Sequence, residues 1–130
     1  MSALQQLAVQ LSEEDTPISP HVIDPDEPAA FAPPGKYAFV IEAVREGYLL
    51  HYCEPRLLAG HDADLALLAG DYLYALGIER LAALGETEAV HRLADLISAC
   101  AQLHTEDRAD EVTAAWEETI QRITNAKEAT

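Results

Sequence analysis

The segment Asp64–Leu84 constrains this chain more than any other, because it is long and apolar, and after Asp64 its only charged residues are Asp71, Glu79 and Arg80. Apolar side chains at helical spacing occupy two of its faces: Leu65, Leu68, Tyr72 and Leu76 on one, and Leu67, Tyr74, Ile78 and Leu81 on another. A helix that is apolar nearly all round is expected to be covered on several sides. We expect Asp64 to cap its N-terminus and Gly85 to end it.

Similar periodicity predicts further helices on both sides of this segment. Apolar residues recur every three or four positions in Lys36–Cys53, after Thr87 and again after Asp110. A short N-terminal helix is expected over Ser2–Glu13. It is followed by an acidic arm that holds every proline except Pro55, and prolines disfavour helix. The sequence therefore predicts an all-α fold: a single-domain bundle of about four helices over residues 36–126, preceded by a helix and Pro-rich acidic arm over 1–35.

A large excess of acidic residues limits the possible partners. Asp and Glu number 23 against 8 Lys and Arg, and the formal net charge is -15. Such a surface repels phosphate backbones and anionic lipids, so nucleic acid is not an expected partner. The apolar runs are shorter than the roughly 20 residues of a membrane span, and the first residues do not resemble a signal peptide. We therefore expect a cytoplasmic protein with no membrane span, in which Cys53 and Cys100 are reduced thiols.

Asp71 is the first candidate functional residue, because it interrupts an apolar helix. A buried carboxylate must be hydrogen-bonded, paired or neutral. Asp71 is thus either a core anchor or part of a ligand cavity. Tyr48, Tyr52 and Tyr72 could line a ligand or partner groove with Asp71 and Arg56, although packing in a core or interface explains these tyrosines equally well.

His51, Cys53 and His61 are candidate metal ligands, because imidazole and thiolate both bind zinc and related metals. Asp62 and Asp64 follow closely in the sequence. The spacing matches no strong metal motif, and His51 and Cys53 would point in different directions on a helix. The sequence indicates no catalytic residue and no cofactor. A small metal-dependent enzyme that uses these side chains is one functional hypothesis, and two others are given below.

One part of the chain resembles a known family. The run Leu67-Leu-Ala-Gly-Asp-Tyr-Leu-Tyr-Ala-Leu76, followed by Ile78–Gly85, is similar to a stretch of the all-helical trans-prenyl diphosphate synthases. Leu93–His104 is similar to the next helix of that family, especially in the small non-catalytic component of two-subunit heptaprenyl diphosphate synthases. The resemblance covers about residues 64–104 and implies a role in isoprenoid biosynthesis.

The aspartate-rich motifs of the catalytic family members are missing. His51-Tyr-Cys-Glu-Pro-Arg56 stands before the similar stretch, in place of clustered aspartates. Ionisation of an allylic diphosphate needs metal ions that stabilise the leaving charge. The resemblance therefore implies a non-catalytic accessory or regulatory subunit that docks on a catalytic prenyl synthase subunit, rather than an enzyme on its own. The alternative is a stand-alone helical module that binds an apolar or isoprenoid ligand, or self-associates as a homodimeric scaffold.

Overall fold

The computed structural model describes residues 1–125, and its regular structure is helical. The α-helices are α1 (Ala3–Glu13), α2 (Ala38–Tyr52), α3 (Ala63–Ala83), α4 (Thr87–Thr105) and α5 (Val112–Asn125). Short 3-10 turns cover Ser19–His21, Glu27–Ala29 and Ala109–Glu111. Within residues 1–125 the only extended pairing is an isolated antiparallel bridge between Val22 and Leu58. The all-α fold class is thus confirmed. The described residues form five α-helices, one before residue 36 and four after it.

The chain divides into two compact units. The first comprises residues 1–79, and the second begins at Arg80. The division falls inside α3, and the boundary between arm and bundle at residue 35 stays a prediction. Residue 126, the predicted end of the helical domain, lies outside the described residues. No helix of residues 1–125 is long and apolar enough to cross a membrane.

The N-terminal region of the first unit is folded against α2. Ser2 and Gln5 form a capping box at the start of α1, which satisfies amides that a helix start leaves without partners. Leu4, Leu7 and Leu11 are buried in the core. The following arm folds back as well, since Ile23 N donates to Leu57 O at 2.8 Å and Ala59 N donates to His21 O at 3.0 Å. The arm is therefore part of the unit and not a free extension.

Helices α2 and α3 approach each other closely at glycines. A Cβ atom on Gly47 would lie 2.9 Å from the carbonyl oxygen of Gly70 and 2.7 Å from Tyr74 Cδ1. A Cβ atom on Gly77 would lie 2.7 Å from Val44 Cγ2. The small residues of the central segment thus allow close backbone contact, and the buried side chains around this crossing include Ala43, Leu50, Ala69 and Leu73.

The ends of α3 differ in how well the sequence predicted them. Asp62, not Asp64, caps the N-terminus, because its Oδ1 accepts a hydrogen bond from Leu65 N at 2.8 Å; Asp64 lies inside the first turn. Gly85 ends the helix as predicted: its φ is +75°, and Glu86 N donates to Leu81 O. Such a backbone conformation favours glycine.

The second unit contains the packed pair α4 and α5. Its buried side chains are Leu81, Ala89, Leu93, Leu96, Cys100, Val112, Trp116 and Ile123. A shallow cavity of about 230 Å³ lies between the two helices, and Arg92 and Arg122 are among its lining residues. Cys100 is buried and Cys53 is exposed, and both are free thiols.

Candidate functional site

One face of α3 is open to solvent and carries large apolar side chains. Leu67 and Leu68 are 55% and 54% exposed. The exposed residues at helical spacing around them define what we call the α3 face: Asp64, Leu67, Leu68, Asp71 and Ala75. The expectation that this helix is covered on several sides is therefore wrong for this face. An exposed apolar patch between polar residues is typical of a protein interaction site.

Asp71 lies on the α3 face and not in the core. Its side chain is 77% exposed, and its Oδ1 lies 3.0 Å from His51 Nε2. The prediction of a buried carboxylate is wrong because Asp71 follows Asp64, Leu67 and Leu68 on the outward side of the helix. Its partner is the imidazole of His51, near the end of α2.

His51 is fixed in place by its neighbours. Its side chain is 15% exposed, and its ring stacks on that of Tyr74 at 5.2 Å between centroids. The position of Gly70 leaves room for the ring, because a Cβ atom there would lie 2.7 Å from His51 Nε2. The packing of α2 on α3 therefore determines where the imidazole partner of the Asp71 carboxylate lies.

The tyrosines of the predicted groove are only partly brought together. Tyr48 is buried, and its ring lies 5.2 Å from that of Tyr52. Tyr52 is exposed and lies 6.0 Å from the ring of His51. A chain of contacts therefore connects Tyr48, Tyr52, His51 and Asp71, while Tyr72 and Arg56 make their described contacts elsewhere.

Tyr72 bonds to the end of α1. Its hydroxyl donates to Glu14 Oε2 at 2.8 Å. Burial raises the pKa of Tyr72 to about 12, and the hydrogen bond to Glu14 and the negative charges of Glu14 and Glu79 act in the same direction. A neutral phenol is thus favoured in the folded protein, where it joins α3 to α1.

We expect Tyr72 to titrate near pH 12 in the folded protein, and Glu14→Gln to bring its pKa closer to the ordinary value of 10.0. Because the folded-state pKa is raised, the stabilisation is complete below about pH 10 and is lost as the pH rises towards 12. Absorbance titration of the wild-type protein and of Glu14→Gln measures the two pKa values. The variant Tyr72→Phe identifies the transition that belongs to Tyr72. A Tyr72 transition unchanged in Glu14→Gln would contradict the contribution assigned to Glu14.

Arg56 lies inside a buried ionic network. Its Nη1 donates to Glu42 Oε1 at 2.7 Å, and its Nε donates to Glu46 Oε1 at 2.9 Å. The side chains of Glu42 and Glu46 are almost completely buried, and that of Arg56 is 10% exposed. Its guanidinium also donates to the carbonyl oxygens of Ala29 and Glu42. The guanidinium is thus occupied by protein acceptors.

Backbone amides satisfy the remaining carboxylate oxygens of the network. Glu42 Oε2 accepts from Phe31 N and Ala32 N at 2.8 and 3.1 Å. Glu46 Oε2 accepts from Arg56 N and Leu57 N, each at 2.8 Å. Buried charges are tolerated when they are paired and hydrogen-bonded in this way. The network therefore fastens both the proline-rich arm and the loop after α2 to that helix.

Sequence reasoning missed Glu42 and Glu46, although one signal was present. Phe39, Ala43 and Leu50 form an apolar stripe at helical spacing, and Glu46 falls on that stripe. An acidic residue in such a position predicts a buried partner, and Arg56 follows the proline that ends α2.

The candidate metal ligands do not assemble into a site. Residues 1–125 contain no group of three or more His, Cys, Asp or Glu side chains placed to hold a metal ion. His51 pairs with Asp71, and Cys53 is exposed at the end of α2. His61 Nδ1 is buried with no hydrogen-bond partner. These residues thus offer single ligands, whereas zinc sites use three or four.

A groove of about 490 Å³ lies between α1 and the arm, with Met1, Val9, Val22 and Ile23 among its lining residues. None of Asp71, Tyr48, Tyr52, Tyr72 and Arg56 lines this groove or the cavity between α4 and α5. The candidate residues therefore lie on or behind a helix surface and not around either of these cavities.

Comparison with family models, curated proteins and solved structures found no match to this chain.

Proposed function

We propose that this chain is a non-catalytic accessory subunit that docks through the α3 face onto an enzyme of the trans-prenyl diphosphate synthase type. The observation that carries the proposal is the exposure of Leu67 and Leu68 on a helix whose other side is buried at Ala69 and Leu73. Both leucines belong to the run Leu67–Leu76 that resembles this enzyme family. The segment that resembles the enzyme family is therefore also the segment that exposes these two apolar side chains.

The setting of the α3 face supports a docking role. Close contact between α2 and α3 at Gly47 and Gly70 holds α3 in place. The imidazole of His51 contacts the carboxylate of Asp71 and so limits its position. A preformed helix face loses little conformational entropy on binding. Such a subunit would act by covering the hydrophobic product tunnel of its partner or by setting product length.

The direct test combines the full chain with purified prenyl diphosphate synthases encoded in the same genome. We expect co-elution with one of them in size-exclusion chromatography with light scattering, together with a change in the length of its product. The double variant Leu67→Asp/Leu68→Asp should lose the complex, because it puts charge into the apolar contact. Leu84→Asp is the matched control, since this exposed leucine lies beyond the end of α3.

Failure of every synthase to bind, or a complex that survives the double variant unchanged, would contradict the proposal. Native mass spectrometry of the purified chain separates the alternatives. A co-purified lipid would favour an apolar-ligand module, and a stable dimer would favour a homodimeric scaffold.

A further inference from the structure

The two exposed leucines of the α3 face lie between two carboxylates. Asp64 precedes Leu67 and Leu68 by about one helical turn, and Asp71 follows them by about one turn. The seven-residue separation places these carboxylates about 10 Å apart along the helix axis. The face is thus an apolar centre with negative charge at each end.

Basic side chains of the first unit leave most of this charge uncompensated. Arg56 is enclosed by Glu42 and Glu46. The guanidinium of Arg45 lies 4.1 Å from the ring centroid of Phe31, and Lys36 Nζ lies 5.0 Å from that of Tyr37. His51 reaches one oxygen of Asp71, whose side chain is still mostly exposed. A partner would therefore meet negative charge on both sides of the leucines.

This arrangement disfavours a second copy of the chain as the occupant. If two α3 faces packed antiparallel about a twofold axis at Leu67 and Leu68, Asp64 of each copy would lie opposite Asp71 of the other. Like charges opposed at an interface are destabilising, and the net charge of -15 adds long-range repulsion. Charge complementarity thus favours a different, basic partner.

We propose that the segment seated on the α3 face is an amphipathic helix of a partner protein, whose apolar stripe carries Lys or Arg about one turn before and one turn after its centre. This inference rests on the docking role proposed above and deepens it by specifying the chemistry of the partner. Burial of Leu67 and Leu68 supplies the apolar contact. Asp64 and Asp71 set the register and the orientation of the incoming helix.

The test uses two synthetic helical peptides with the same leucine pair, flanked by Lys in one and by Glu in the other. Fluorescence anisotropy measures their binding to the full chain. We expect the Lys peptide to bind about tenfold or more tightly than the Glu peptide, with a preference that weakens as salt is added. The variant Asp64→Lys/Asp71→Lys should reverse the preference. Asp24→Lys/Asp26→Lys makes the same charge change at exposed arm positions and should retain it.

Leu67→Asp/Leu68→Asp separates a seated helix from general attraction of cations. The variant is more acidic than the wild-type protein, so purely non-specific attraction would strengthen binding of the Lys peptide. A seated helix would instead bind about tenfold more weakly. Failure of both peptides to bind, equal affinity for both, loss of the preference in the arm control, or a homodimer abolished by the leucine variant would overturn the inference.

Failure of this inference is distinguishable from failure of the proposed function. If a synthase binds through Leu67 and Leu68 but ignores the charge reversal at Asp64 and Asp71, the basic-helix inference fails alone. If no synthase binds while the peptide preference and its reversal hold, the synthase assignment fails and the basic-helix inference stands.

Discussion

Replacement of Arg56 with alanine is expected to lower the free energy of unfolding by about 3–5 kcal/mol, which is the usual cost of leaving a buried charge without its partner. The variant would leave Glu42 and Glu46 facing each other in the interior with four backbone amides as their remaining donors. Since typical domains are stable by about 5–15 kcal/mol, the loss should be evident in urea denaturation followed by circular dichroism.

A matched control for this variant lies in the second unit. Arg108 also bonds to two carboxylates, those of Glu106 and Glu111, but its side chain is about half exposed. We expect Arg108→Ala to leave the urea midpoint nearly unchanged, because exposed ion pairs contribute little. Arg56→Lys should lie between Arg56→Ala and the wild-type protein, since an ammonium keeps the charge but not the planar set of donors. Equal effects of Arg56→Ala and Arg108→Ala would contradict the role of burial.

Much of the helical architecture was predictable because it is encoded locally. The spacing of apolar residues predicted the positions of α2 and α3 to within about two residues. Gly85 predicted the end of α3 because that backbone conformation favours glycine. These features depend on residues close together in the sequence.

The polar interior was less predictable, because it depends on residues brought together by folding. The sequence drew attention to Asp71 as the acidic residue in the most apolar helix, yet the buried carboxylates are those of Glu42 and Glu46. Amides near residues 31 and 56 complete the ionic network, and local periodicity contains no information about such contacts. The direction in which Asp71 points likewise depends on which face of α3 is covered.

The α3 face and the crossing of α2 on α3 are physically coupled. Helix α3 exposes Leu67 and Leu68 on one side and contacts α2 on the other, where Gly47 and Gly70 approach each other. A change at the crossing should therefore alter both stability and the position of His51 beside Asp71. Substitutions at the glycines of the crossing therefore test the support of the α3 face, as substitutions on the face test the contact itself.

Gly47→Ala is expected to destabilise the protein by about 2 kcal/mol, as overpacking of a close contact commonly does. On an unpacked helix the same substitution would stabilise by about 1 kcal/mol, so even the sign of the effect reports on the crossing. The added methyl group would lie 2.9 Å from the backbone oxygen of Gly70, which no side-chain rotation can relieve. Thermal and urea denaturation measure the change.

Gly77→Ala provides the comparison within the same helix pair. Its added methyl group would meet Val44 Cγ2 at 2.7 Å, but the nearest backbone atom, Val40 O, would be 3.3 Å away. Because a valine side chain can shift more readily than a helix backbone, we expect a smaller loss of stability than in Gly47→Ala. A Gly47→Ala protein more stable than the wild type would show that the helices do not approach this closely, and would remove the rigid support proposed for the α3 face.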